Sequence, residues 1–210
     1  MASEIRSALS VEVFFFPGVE ELDAVGPWEV LRFWQDLGDR DVRVRSVSVG
    51  GQGVECFKGL KVGVDGPLGD QTPDILIYPG GPGTQAMAAN EDHVAEVRRL
   101  AEAGSVMASV CTGAFVLGAA GVLGSREVTT HWMARKQLAE QFTDATVWSG
   151  ARWVDSGSVV TSAGVSAGID MALHLVDRFD GRTVALRVAS AMEYPWRPEN
   201  DEPEAPAPAA

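Results

Sequence analysis

Short unbroken apolar runs alternate with longer stretches in which apolar residues recur every three or four positions, and the alternation continues from residue 11 to residue 192. Residues 11–16, Val-Glu-Val-Phe-Phe-Phe, stop at Pro17-Gly18 and predict a buried strand. Residues 22–37 place Val25, Trp28, Leu31 and Trp34 at helical spacing, with Pro27 near enough to the start to be tolerated. Residues 42–49 alternate strictly, as a strand with one wetter face does, and residues 54–65 predict a hairpin with Gly59 at its bend. Residues 74–78 form an unbroken apolar strand that runs into Pro79-Gly80-Gly81-Pro82-Gly83. A helix over 92–103, closed by Gly104, then leads to a buried strand over 106–110 and a small-residue helix ending at Gly121. Beyond it the pattern predicts strands over 127–129, 145–148, 153–155 and 159–162, with helices over 132–141, 166–179 and 182–192. Continuous apolar strands separated by helices imply a mostly parallel sheet covered on both faces, a doubly wound α/β sandwich.

The chain of 210 residues suits one domain, expected over residues 1–194. Residues 195–210 carry five of the 11 prolines and four carboxylates, and predict a disordered acidic tail. A net charge of −12 argues against nucleic acid and anionic membrane surfaces as partners. No apolar run approaches the ~20 residues of a membrane span, and the first residues lack the build of a signal peptide. With only two cysteines, too few for a disulfide framework, the expectation is a cytoplasmic protein.

Ligands gather at the carboxyl ends of strands in doubly wound sheets, and three segments there carry unusual residues. In Ala108-Ser109-Val110-Cys111-Thr112-Gly113-Ala114, small residues on either side of Cys111 meet the steric demand of a nucleophile on a tight strand-to-helix turn. A helix N-terminus would also favour its thiolate, so a low pKa is expected. Cys56, in the hairpin, is expected to be inert. The Gly80-Gly81 pair is free to aim backbone amides at a ligand, or to serve as an ordinary turn; no Gly-Lys-Ser/Thr follows, as a phosphate loop requires. In Glu20-Glu21-Leu22-Asp23, three carboxylates either complement a helix dipole or provide one proton-transfer partner for the thiol. His131, in Thr129-Thr130-His131-Trp132, lies at another strand-to-helix junction, where Thr130 is a candidate helix cap. His93 is expected on the surface and His174 in the core. The histidines and cysteines show no metal-ligand spacing, so neither metal nor cofactor is expected.

The Cys111 elbow, the Ile-Tyr-Pro-Gly-Gly-Pro-Gly loop and Thr-Thr-His-Trp together resemble the ThiJ/PfpI family of the class I glutamine amidotransferase-like superfamily. Glu-Leu-Asp-Ala-Val-Gly-Pro and Ser-Ala-Gly-Val-Ser-Ala-Gly-Ile-Asp resemble its isocyanide hydratase branch. The resemblance implies a flavodoxin-like fold and a homodimer with the site near the subunit interface. Carried over, it implies Cys111 as nucleophile, Asp23 as its acidic partner and Thr112 as the polar neighbour, with Gly81 in the loop that supplies an amide. Thr112 stands where protease-like members have histidine, which counts against proteolysis. The implied chemistry is addition of a thiol to an isocyanide, then hydrolysis to an N-substituted formamide, in a pocket lined by Gly80, Gly81, Trp28, His131, Trp132 and Val165. A thiol hydrolase, a carbonyl-stress enzyme, and a ligand or redox sensor remain alternatives. The sensing domains of AraC-like regulators share the fold but continue into a helix-turn-helix region.

Overall fold

The computed structural model describes residues 8–199. In chain order it runs β1 (Leu9–Phe15), α1 (Glu21–Leu37), β2 (Val42–Ser48), the hairpin β3 (Val54–Glu55) and β4 (Lys61–Val62), β5 (Gly66–Pro67) and β6 (Ile75–Tyr78). It continues with α2 (Thr84–Ala89), α3 (Glu91–Glu102), β7 (Val106–Val110), α4 (Gly113–Ala119), β8 (Glu127–Val128), a 3-10 turn (Trp132–Ala134) and α5 (Arg135–Gln141). The last elements are β9 (Thr146–Val147), β10 (Trp153–Asp155), β11 (Val159–Ser162), α6 (Ala167–Asp180) and α7 (Arg182–Ala191).

Seven strands form one sheet in the order β10-β11-β7-β6-β1-β2-β5, parallel except where β10 meets β11. This is the doubly wound sandwich expected from the pattern, and the flavodoxin-like fold that the family resemblance implied. Val110 of β7 and Pro27 of α1 both close in on Gly168 of α6, and α1 and α6 cover one face together with α7. On the other face Phe14 stacks on His93 of α3, beside α2 and α4. The register sets Val13 beside Ile77, Tyr78 beside Ser109, and Val110 beside Ser162. The carboxyl ends of β1, β6, β7 and β11 therefore open at one rim. β8 and β9 pair separately, as do β3 and β4. The sequence pattern did not announce α2, whose six residues have no side-chain cap.

The two helix histidines lie opposite to expectation. His93 is buried, neutral because burial pushes its pKa down to about 4, and its Nε2 is hydrogen-bonded to the Tyr78 hydroxyl at 2.7 Å. It shares the apolar stripe of α3 with Val97 and Leu100. His174 is half-buried, 2.7 Å from Asp155, on the polar stripe that also carries Asp170, Asp177 and Arg178. Cys56 is buried in the hairpin region, its thiol pushed up by burial and by Glu21. The expected tail boundary also moves. Trp196 is buried under the Arg182 guanidinium, so the packed fold extends past residue 194, while residues 200–210 lie outside the described residues.

Asp180 at the end of α6 accepts from the Trp34 indole N–H at 2.8 Å and from the backbone N–H groups of Asp39 and Arg40 at 3.1 and 3.3 Å. A carboxylate at a helix C-terminus opposes the macrodipole, so these three donors must outweigh that cost. Asp180→Ala leaves the Trp34 donor unpaired inside the protein. It is expected to lower stability by about 1–3 kcal/mol, read as a lower urea midpoint at unchanged m-value.

Candidate functional site

At the rim formed by those strand ends, β7 turns into α4 through Cys111, whose φ of +56° is the left-handed conformation that an elbow imposes on a non-glycine residue. Two interactions hold it there. The Cys111 N–H points at the carbonyls of Ser162 and Ala163, at 3.2 and 3.1 Å, and its own carbonyl accepts from the Thr130 hydroxyl at 2.6 Å. Thr130 thus braces the elbow and does not cap the helix that follows. The side chain of His131 makes that cap, accepting from the Met133 N–H at 3.4 Å.

Of the three clustered carboxylates, only Asp23 turns inward; it is fully buried. Its Oδ2 accepts from the Gly80 N–H at 3.0 Å, its Oδ1 from the Val165 N–H at 3.1 Å, and the Cys111 thiol hydrogen-bonds to the carboxyl as well. Glu20 pairs with Lys58, and Glu21 accepts from the Lys58 N–H, so both anchor the hairpin. A Cβ on Gly80 would lie 2.6 Å from the Thr112 nitrogen and 2.8 Å from Asp23 Oδ2, which is why the approach requires glycine. Val165, like Cys111, has a positive φ, +53°.

Burial pushes Asp23 up to about 6, against the opposing pull of the thiol and of the Gly80 N–H. Burial also pushes the Cys111 thiol up to about 12, with the charge of Asp23 adding to it and the Thr112 N–H working against it. The low-pKa thiol expected from the helix N-terminus is therefore not what the site provides. Desolvation and an adjacent carboxylate outweigh the end of a seven-residue helix. At neutral pH the pair holds one proton, on sulfur, with an ionised base beside it.

Of the two readings open for the glycine loop, its backbone bonds match the turn. The Gly81 N–H donates to Thr112 Oγ1 at 3.0 Å, and Thr84 Oγ1 donates to the Gly81 carbonyl at 2.6 Å. With the Gly80 N–H on Asp23, both loop amides have partners inside the protein. A cavity of about 660 Å³ opens over Cys111, Thr112, Gly81, His131 and Val165, walled further out by Phe115, Ala88, Gln85 and Gln137, with Glu20 as its charged member. Trp132 is 68 % exposed and does not line it, nor does Trp28, which lies beside Arg32. Phe115 supplies the aromatic wall instead. Among the described residues no group of three or more histidines, cysteines or carboxylates is placed to hold a metal. Thr84 and Phe115 escaped the sequence reading because neither carries a signature of its own; their spacing from the loop and the elbow was the available signal.

The DJ-1/PfpI family model matches residues 9–178. The chain belongs to the DJ-1/PfpI family. Its sequence is 33 % identical to an isonitrile hydratase of Pseudomonas putida over 194 residues, covering 92 % of this chain and 82 % of that protein. It is also 30 % identical to the HTH-type transcriptional regulator GbdR of Pseudomonas aeruginosa, over 79 % of this chain but only 45 % of the regulator. Among solved structures, a ThiJ/PfpI family protein from Pseudomonas syringae superposes with a TM-score of 0.81 at 26 % identity, covering 95 % of this chain and 82 % of that one. Within this DJ-1/PfpI chain, no helix of the described residues is long and apolar enough to cross a membrane.

The shared proton sets a titration. Alkylation of Cys111 by iodoacetamide is expected to accelerate through a midpoint near pH 6, as Asp23 loses its proton and becomes able to accept the thiol's. In Asp23→Asn that step should vanish and only a later, single rise remain. A wild-type rate that stays flat across pH 6 contradicts the coupling.

Proposed function

We propose that this protein is an isocyanide hydratase, adding water to R–N≡C to give the formamide R–NH–CHO. The observation that carries the reading is the occupation of both loop amides: the Gly80 N–H is bound to Asp23 and the Gly81 N–H to Thr112. Acyl-transfer hydrolysis needs free donors aimed at a developing oxyanion. Thiol addition to an isocyanide develops its electron pair on carbon, which needs a proton and no oxyanion hole. A buried carboxyl hydrogen-bonded to the thiol provides that proton.

In the first step Asp23 takes the thiol proton as Sγ attacks the terminal carbon, forming the S–C bond. The carbon's electron pair then accepts the proton from Asp23, leaving the thioimidate Cys111–S–CH=N–R. The Thr112 N–H, which faces Sγ, steadies charge on sulfur. Water next adds to the thioimidate carbon, giving up its proton to Asp23. Expulsion of sulfur, which recovers the proton, releases R–N=CH–OH, the tautomer of the formamide. Gly80 and Gly81 fix the base and Thr112, while His131 and Val165 shape the cavity. Among the described residues no lysine or arginine lines that cavity, in keeping with a substrate that has no anionic group. The 33 % identity to an isonitrile hydratase over most of both chains supports the same assignment.

We further place the protein in the cytoplasm as a homodimer with the site near its interface, acting without metal or cofactor. Leu22, Phe57 and Leu60 are exposed at 39, 54 and 48 %, on the start of α1 and the hairpin clamped to it by Glu20 and Glu21. This patch supports a covered face beside the site. The net charge of −12 disfavours nucleic acid as a partner.

Incubation with cyclohexyl isocyanide should yield N-cyclohexylformamide. Cys111→Ala should abolish turnover, and Asp23→Asn should keep the fold but lower kcat by about 100-fold or more. Asp23→Asn enzyme with full turnover, or no formamide from the wild type, overturns the assignment. For the dimer, light scattering should give twice the chain mass, and Phe57→Glu should shift the population towards monomer.

A further inference from the structure

The pair Arg152–Asp170 lies outside the site just described, and the proton chemistry does not use it directly. Asp170 is 4 % exposed, in the first turn of α6. Its Oδ2 accepts from Arg152 Nε at 2.6 Å, with Nη2 at 2.5 Å, and from the Tyr194 hydroxyl at 3.1 Å. Arg152 in turn grips both ends of one bend. Its carbonyl accepts from the Ala163 N–H at 2.9 Å, and its Nη2 donates to Ser166 Oγ at 3.2 Å. Between those two points lie Gly164, whose missing Cβ makes room for the His131 ring, and Val165, held at positive φ with its N–H on Asp23.

We infer that the Arg152–Asp170 pair positions the proton-transfer base, by holding the 163–166 bend so that the Val165 amide reaches Asp23. Two physical points support it. An ion pair whose arginine side chain is 37 % exposed contributes little net stability, because solvent screens the attraction and ordering the side chain offsets it, so what it supplies best is a fixed geometry. Val165 pays a conformational cost that a relaxed loop would shed, and the bend keeps it only if tied at both ends. Arginine suits this place because its planar fork serves Asp170 and Ser166 together, which an ammonium cannot do with one geometry. The groups facing Asp23 are the Cys111 thiol on the elbow, Glu20 on its own segment and Lys58 on the hairpin, besides the Gly80 and Val165 amides. None of the charged ones lies on the 163–166 bend. Loosening the bend should therefore withdraw an amide from the ionised carboxylate without moving another charge, and so raise the pKa of Asp23.

This inference rests on Asp23 serving as the base for Cys111, but its test does not require an isocyanide. The alkylation rate of Cys111 is followed against pH in a Cys56→Ser background, beside kcat/KM for cyclohexyl isocyanide and the thermal midpoint. In Arg152→Met and in Asp170→Asn the acid-side midpoint should move up by about one pH unit, the scale of one lost hydrogen bond to a charged group. Arg152→Lys should restore only part of it. Ser166→Ala, an exposed and mild change, should give a smaller shift in the same direction, and serves if the larger variants do not fold. Lower thermal midpoints with the acid limb unmoved in Ser166→Ala and in the folded pair variants would mean that Arg152 and Asp170 only brace the fold, and the inference fails. A shifted alkylation limb in a protein that makes no formamide would keep the positioning role and remove the hydratase reading.

Discussion

The fully buried carboxyl of Asp23 is the point on which the site converges. One side chain ties the start of α1 to the loop after β6, through Gly80, to the bend after β11, through Val165, and to the elbow after β7, through Cys111. A carboxyl in that position is expensive to ionise, and its two amide partners only partly offset the burial, so its pKa rests at about 6. The site cannot be assembled from any one segment. It exists only once four parallel strand ends have been brought into register.

That register explains why strain is tolerated where it is. Cys111 and Val165 are non-glycine residues at positive φ, and both face the same carboxyl. Each is held by backbone partners from a neighbouring strand end: Cys111 by Ser162 and Ala163, and the bend of Val165 by Arg152. Strain of ~1–3 kcal/mol per residue persists only where its surroundings fix it, and a seven-stranded sheet wrapped on both faces is such a surrounding. The strained residues carry the sulfur and one of the two amides bound to the Asp23 carboxyl.

Much of this was legible in the chain. Small residues at 109 and 113 around Cys111 announced an elbow, because the steric demand of the turn is local and is met within five residues. The histidines show what a closer reading of periodicity would have added. His93 shares a stripe with Val97 and Leu100, whereas His174 shares one with Asp170 and Arg178, and those spacings outrank the average polarity of either helix. Trp132 misled for another reason. An aromatic beside a site motif suggests a pocket wall, but the 3-10 turn that opens at Trp132 rotates its indole outward and leaves His131 facing in.

The sequence by itself determined the doubly wound architecture and the placing of Cys111 on a strand-to-helix elbow, since period, turn residues and small-residue context all act over a few neighbouring positions. It did not determine which of Glu20, Glu21 and Asp23 meets the thiol, nor that the glycine amides would already be bound, nor that the thiol would sit high instead of low. Those outcomes depend on contacts between segments 57 and 142 residues apart, and on how far water is excluded once they close. Desolvation is a property of the packed surroundings, and no local pattern of residues carries it.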